Sequence, residues 1–252
     1  MTLPEAGLCV LRDAKATRYL MIKFGPHGGC HGHFDKPGVL YAHDNHGVLM
    51  DAGTARYSSP LHEEWYRSTL AHNTIAIDGL RQLPCAGHLV RAGDGTATVS
   101  VSPYDGVRVE RTVALTEHGV SDGWKIECDR PRRIEILYHF PAPKDGSTYA
   151  IPSRARIEGS DPAYRYLADP ETLEGPLPPL DFEGFSLRFS WKATAAGTAL
   201  KARTPGISGS PKGGLVLLLR FEARSLEVNA GIEVGKATAL PVPVASQAHP
   251  PL

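Results

Sequence analysis

The sequence predicts an all-β chain: a large multi-stranded antiparallel β-sandwich of stacked sheets, with one short helix, over residues 1–240. Two observations predict it. Short β-branched or aromatic runs alternate with period two between Gly, Pro and Asp breakers. Helical periodicity is almost absent, where globular chains average about 30% helix. At 252 residues such a chain can bury a core without disulfide or metal staples.

The strand candidates run in order. "GLCVLRD", "RYLMIKFG", "GVLYAHD" and "HGVLMDAG" come first, the last two joined across "DNHG", which reads as a hairpin turn. "HNTIAIDG", "TATVSV", "GVRVERTVAL", "GWKIECD", "RRIEILYHFP", "GFSLRFSW", "GLVLLLRFEA" and "SLEVNAGIEV" follow. The one helical candidate is "SSPLHEEWYRST", where Ser59 can cap, Pro60 suits the first helical position and two glutamates favour the positive end of the dipole. After residue 142 a Pro-, Gly- and Asp-rich stretch reads as long loops with one or two short strands, and residues 241–252 read as a disordered tail.

Composition excludes some functions. Lys plus Arg and Asp plus Glu both number 27, so the formal charge is zero, the overall field is not that of a nucleic-acid binder, and an anionic partner would need a local basic cluster. Cys9, Cys30, Cys85 and Cys128 show neither zinc-ribbon nor framework spacing. No apolar run reaches the ~18 residues of a membrane span, and "MTLPEAGLCVLRD" lacks the build of a signal peptide.

Eight of the eleven histidines lie before residue 90. In "GPHGGCHGHFDKPG", residues 25–38, His31 and His33 are two apart and would share a face if extended, with glycines that let backbone or substrate come close. Asp51 ends one candidate strand and His72 opens another. Two neutral imidazoles and a carboxylate make a good zinc set, although these spacings form no local motif. Nearby, tyrosine can exchange a proton, while arginine or asparagine can hold a carboxylate, a combination suited to an acidic sugar. Trp65 reads as core.

Two segments, "GGCHGHFDKPGVLYAHDNHGVLMDAGTARY" and "WYRSTLAHNTIAIDGLRQ", resemble the β-domain of the heparinase II/III-like polysaccharide lyases, a group with oligoalginate lyases and heparin or heparan sulfate lyases. From about Leu3 onward the chain resembles that domain, by pattern alone after residue 95. The resemblance implies a multi-sheet β-sandwich that faces an N-terminal (α/α) toroid across the active cleft. It implies zinc at His33, Asp51 and His72, and His31 at the substrate. By their chemistry and their place around Asp51 and His72, Tyr57 and Tyr66 are the candidates for proton transfer, and Arg67 and Asn73 for substrate binding. The reaction implied is β-elimination at a 4-linked uronate of an acidic polysaccharide or oligosaccharide, in the periplasm or outside the cell for a full-length lyase. The toroid is not in this sequence, so a separate helical domain is an expected partner. A non-catalytic carbohydrate-binding or assembly module and a cupin-like metal β-barrel are the alternative readings.

Overall fold

The computed structural model describes residues 1–144, 148–154 and 157–236. The tail expected to be disordered, 241–252, lies outside the described residues. Alternating inward residues build a first sheet from β1 (Thr2–Leu3), β2 (Leu8–Arg12), β3 (Arg18–Lys23), β4 (Gly38–His43) and β5 (His46–Leu49), paired in sequence order. The expected β4–β5 turn is present, with Asp44 and Asn45 both at positive φ (47° and 65°), the geometry that matches strand twist in a two-residue hairpin.

The second sheet has ten strands: β6 (Ile75–Ile77), β7 (His88–Gly93), β8 (Thr96–Tyr104), β9 (Val107–Leu115), β10 (Gly119–Phe140), β11 (Ala168–Leu173), β12 (Leu180–Asp181), β13 (Phe185–Ala193), β14 (Gly197–Thr204) and β15 (Gly214–Lys236). Its main path runs β11-β14-β15-β10-β9-β8-β7, with β6 against β10 and β13 against β15. All pairings in both sheets are antiparallel. The short strands expected after residue 142 are β11 and β12; β1, β7 and β14 were not among the sequence candidates.

Two pairs of predicted strands fuse. "GWKIECD" and "RRIEILYHFP" are one strand, β10, interrupted by a bulge: β10 goes from Glu127 to Arg132 while β15 moves only from Ser225 to Ala223. The bulge takes up Pro131, which has no N–H for a ladder. "GLVLLLRFEA" and "SLEVNAGIEV" likewise form the single strand β15.

The main core lies between the sheets, with Leu20, Ile22, Tyr41, Val109, Trp124, Ile136 and Leu217 among its buried side chains. A second cluster covers the outer face of β10 and β15, where Leu137, Val216 and Leu218 pack on Trp65, Leu70 and Tyr166. Burial on both faces explains why "LVLLL" and "IEILYHF" are continuous runs and do not alternate. The predicted helix supplies part of that cover. It is one wide turn, His62–Tyr66, closed by the Arg67 N–H donating to the His62 carbonyl at 3.1 Å. Three 3₁₀ turns, Gly29–His31, Thr69–Ala71 and Pro162–Tyr166, complete the described helical segments. Among the described residues no helix is long and apolar enough to cross a membrane.

Candidate functional site

Three chain segments converge beside the first sheet. The loop after β3 carries His31 and His33, the end of β5 leads to Asp51, and the turn Thr69–Ala71 ends at His72. One ligand atom from each of His33, Asp51 and His72 lies within 4.8 Å of the others. The segments are fixed by side chains. Asn73 donates to the carbonyls of Val39 (2.9 Å) and Met50 (2.8 Å) and accepts from the His139 N–H (2.5 Å). Gln82 accepts from the Lys36 N–H and donates back to the Lys36 carbonyl, at 2.9 and 2.7 Å.

The donor set fits a cation. His72 is 2% exposed, and its Nε2–H donates to the Tyr66 carbonyl at 3.1 Å. In the neutral ring that bond leaves the Nδ1 lone pair free, the tautomer a metal ligand needs. Nδ1 stands 3.4 Å from Asp51 Oδ2 and has no hydrogen-bond partner. Burial, then the neighbouring His72, pushes His33 down to about 4, so its ring is neutral near neutral pH. Burial opposes the charge of Asp51, but His72, Lys23 and the Gly53 N–H (3.0 Å) outweigh it and hold the carboxyl well below the usual carboxylate range. With His72 neutral, the three residues present lone pairs on two nitrogens and one oxygen, of the kind that suits zinc.

A lysine–carboxylate pair that sequence reasoning passed over stands behind this cluster. Lys23, at the end of β3, bonds Asp35 and reaches Asp51 Oδ2 at 3.7 Å. Asp35 is 1% exposed and is also bonded by Lys36 at 2.5 Å. Burial works against its charge, but His72, Lys23 and Lys36 hold it down to about 2. Asp35 was in view, two residues from His33; Lys23 carried no signal beyond ending a strand.

His31 and His33 do not share an extended face. Gly29, at φ 62°, starts a 3₁₀ turn through His31, so His31 turns outward while His33 turns in. His31 Nδ1 lies 2.6 Å from the Tyr57 hydroxyl. Tyr57 is 69% exposed and its ring packs edge-on against His62, which in turn contacts the Thr54 hydroxyl at 3.2 Å. His31 and Tyr57 therefore form an exposed hydrogen-bonded pair, with His62 as an unforeseen support.

The other expected site residues sit differently. Tyr66, expected to share proton transfer, is 4% exposed in the second core cluster. Burial raises its hydroxyl, which meets Ser208, and its carbonyl holds His72, so it packs and positions. Asn73 is 2% exposed and its amide is spent on backbone groups, which leaves nothing for a substrate. Arg67 donates to the Gly32 and Gly29 carbonyls at 3.0 and 3.4 Å, and its Nη1 donates to both Glu63 carboxylate oxygens at 2.8 and 2.6 Å. Its guanidinium thus clamps the His31 turn and is not a free carboxylate receptor. Trp65 is fully buried, as expected. All four cysteines are free.

Comparison with known proteins agrees with this architecture. Residues 2–144 match the family described as heparinase II/III-like, C-terminal. An alginate lyase of Stenotrophomonas maltophilia (strain K279a) is 25% identical over 230 residues, with 76% of this chain and 31% of the relative covered. A crystal structure of heparinase III superposes at TM-score 0.69 and 13% identity, covering 93% of this chain and 36% of that one. A heparan sulfate lyase of Pedobacter heparinus gives TM-score 0.69 and 13% identity, with 96% and 37% covered. The chain spans about a third of the length of these relatives. With more than half of its residues inside the family match and the large stacked antiparallel sheets of its structural neighbours, the chain belongs to the heparinase II/III-like family as its C-terminal β-sandwich domain.

Proposed function

We propose that this domain supplies one wall of a polysaccharide lyase cleft that cleaves 4-linked uronate chains by β-elimination, with a zinc ion held by His33, Asp51 and His72. The observation that carries the reading is the pairing of two neighbouring sites. One is a buried cluster of three lone-pair donors with an orphan Nδ1; the other is an exposed His31–Tyr57 contact at 2.6 Å.

The bound ion would supply a fixed positive charge that ties the His33 loop, the Asp51 segment and the His72 turn into one body. The chain's own residues do the rest. In β-elimination the C5–H bond breaks, its electrons form the C4–C5 double bond, and the C4–O4 bond breaks as O4 takes a proton. His31 and Tyr57 share a proton across their contact, so one can accept the C5 proton while the other donates to O4. Both groups are accessible from one side, where a second, helical domain would complete the cleft and neutralise the uronate carboxylate.

Protein purified without chelator should carry about one zinc per chain, read by elemental analysis, as a three-ligand site of this kind retains. Mixed with a helical domain from the family, it should release the ultraviolet-absorbing unsaturated uronate from alginate or heparan sulfate, and His31→Ala should abolish the product. Zinc retained at wild-type level by a His72→Ala variant would remove the metal assignment. Polysaccharide binding without product in every combination would favour a non-catalytic module.

A further inference from the structure

A second recess lies on the flank of Asp51, and neither His31 nor Tyr57 lines it. We propose that it is a subsite for a hexuronate unit of the bound chain, an inference that rests on the uronate reading above. The cavity of about 520 Å³ sits between the β4–β5 turn, the end of β10 and the loop joining β14 to β15, within the roughly 300–1,000 Å³ range of small-molecule sites.

Three features select the ligand. Lys144 and Lys212 line the cavity against a single carboxylate, Glu183. The Lys212–Glu183 pair is long, at 3.9 Å, with side chains 64% and 93% exposed, so it holds the lysine weakly and leaves it available to an anion. Thr204 also lines the recess; it is 1% exposed and its hydroxyl has no hydrogen-bond partner. A buried hydroxyl left unpaired needs an explanation, and a sugar hydroxyl, which both donates and accepts, would satisfy it. The remaining wall includes Ile207, which is 42% exposed, apolar surface suited to the C–H face of a pyranose ring. Carboxylate, hydroxyl and apolar face together describe a uronic acid.

The placement fits a substrate-chain site. Met50 and Ala52 both line the cavity, so the residue between them, Asp51, puts the proposed cation and the recess on one stretch of backbone. The loop wall is tied to that stretch by the Ser208 N–H, which donates to the Ala52 carbonyl at 3.0 Å.

The test is calorimetric titration of the full chain with a tetramer of 4-linked mannuronate and, separately, with neutral mannotetraose. Lys144→Ala/Lys212→Ala should raise the dissociation constant for the uronate about tenfold, the weight of one charge-assisted contact, and leave its zinc content unchanged. Thr204→Val, which keeps the shape and removes the hydroxyl, should weaken the uronate by about fivefold, the loss of a single hydrogen bond. Wild-type uronate affinity in a folded double-lysine variant would overturn the subsite and leave the lyase reading standing. No uronate binding by the wild-type chain, or equal binding of mannotetraose, would overturn the subsite together with the uronate reading on which it rests.

Discussion

Two polar clusters lie on either side of Asn73, and they are built on opposite principles. In the sandwich core Arg111, fully buried, forks onto Asp122 at 2.8 Å twice and donates to the carbonyls of Pro37 and Asn73, both at 2.7 Å. Asp122 also accepts from Trp124 at 2.9 Å and Tyr138 at 2.7 Å. Donors and acceptors balance. Across Asn73, the His33–Asp51–His72 cluster gathers acceptors and leaves one imidazole nitrogen with no partner. A balanced buried network is a rigid strut, whereas a surplus of lone pairs is a place for a cation. The strut also serves the site, because the two carbonyls it holds follow Lys36 and His72 in the chain.

Breaking the strut should have the largest effect. Arg111→Met leaves the Asp122 carboxylate buried without its cation, and removal of one partner of such a pair costs about 3–5 kcal/mol, read as a lowered urea midpoint at constant slope. Replacing both, Arg111→Met with Asp122→Leu, should recover much of the loss. If Arg111→Met alone proved as stable as wild type, the contrast between the clusters would fail.

Emptying the other cluster should act through mass action. On the proposed zinc assignment, free zinc at 100 times its dissociation constant should stabilise the folded chain by about 2.7 kcal/mol, so a chelator should lower its melting temperature. Asp51→Asn and His72→Ala should be insensitive to chelator. In the metal-free chain His72→Ala leaves a cavity at a buried position and Asp51→Asn gives up its pairing with Lys23, so the metal dependence is read as the chelator-induced shift within each variant.

Acid should sharpen the comparison on the outer face of β10. Burial, then His72, pushes the His139 imidazole down to about 3, against about 6.5 in an unfolded chain. The unfolded chain therefore binds the proton first, and stability present above about pH 6.5 is lost as pH falls toward 3, with a limiting slope of about 1.4 kcal/mol per pH unit. His139→Phe should flatten that slope in chelator-treated protein; an unchanged acid profile would assign the loss to other groups.

The fold was legible because the strands write it in period two. Val107, Val109, Val113, Val120, Trp124 and Ile126 alternate inward as read, and the β4–β5 turn is carried by two residues. The fusion of runs into β10 and β15 was hidden, since Pro131 and the Arg–Ser break near residue 225 look like strand ends until a partner strand spans them. The His33–Asp51–His72 cluster is set by tertiary contacts between segments 18 and 21 positions apart, which only a family likeness could join. Spacing also could not reveal that Arg67, Asn73 and Tyr66 turn inward. Their residue types are those of a sugar site, but backbone carbonyls and an N–H claim the arginine and amide groups first, and packing claims the tyrosine ring.

Arg67 makes the smallest thermodynamic prediction and the most selective one. Its ion pair with Glu63 is i,i+4 with the glutamate 56% exposed, which is worth about 0.3–0.5 kcal/mol, so Arg67→Ala should barely move the melting temperature. The same side chain holds the carbonyls on both sides of Cys30 and His31, and without it the glycine-rich turn keeps its own weak 3₁₀ bonds and the single His31–Tyr57 contact. The His31 ring should then lose its fixed contact with Tyr57, seen as broadened imidazole resonances, and product formation with a helical domain should fall while zinc content stays constant. Arg67→Lys keeps the charge but cannot reach Gly32 and Glu63 with one planar fork, so it should not restore the sharp resonances. Full rescue by lysine would show that charge, and not the clamp, is what the turn requires.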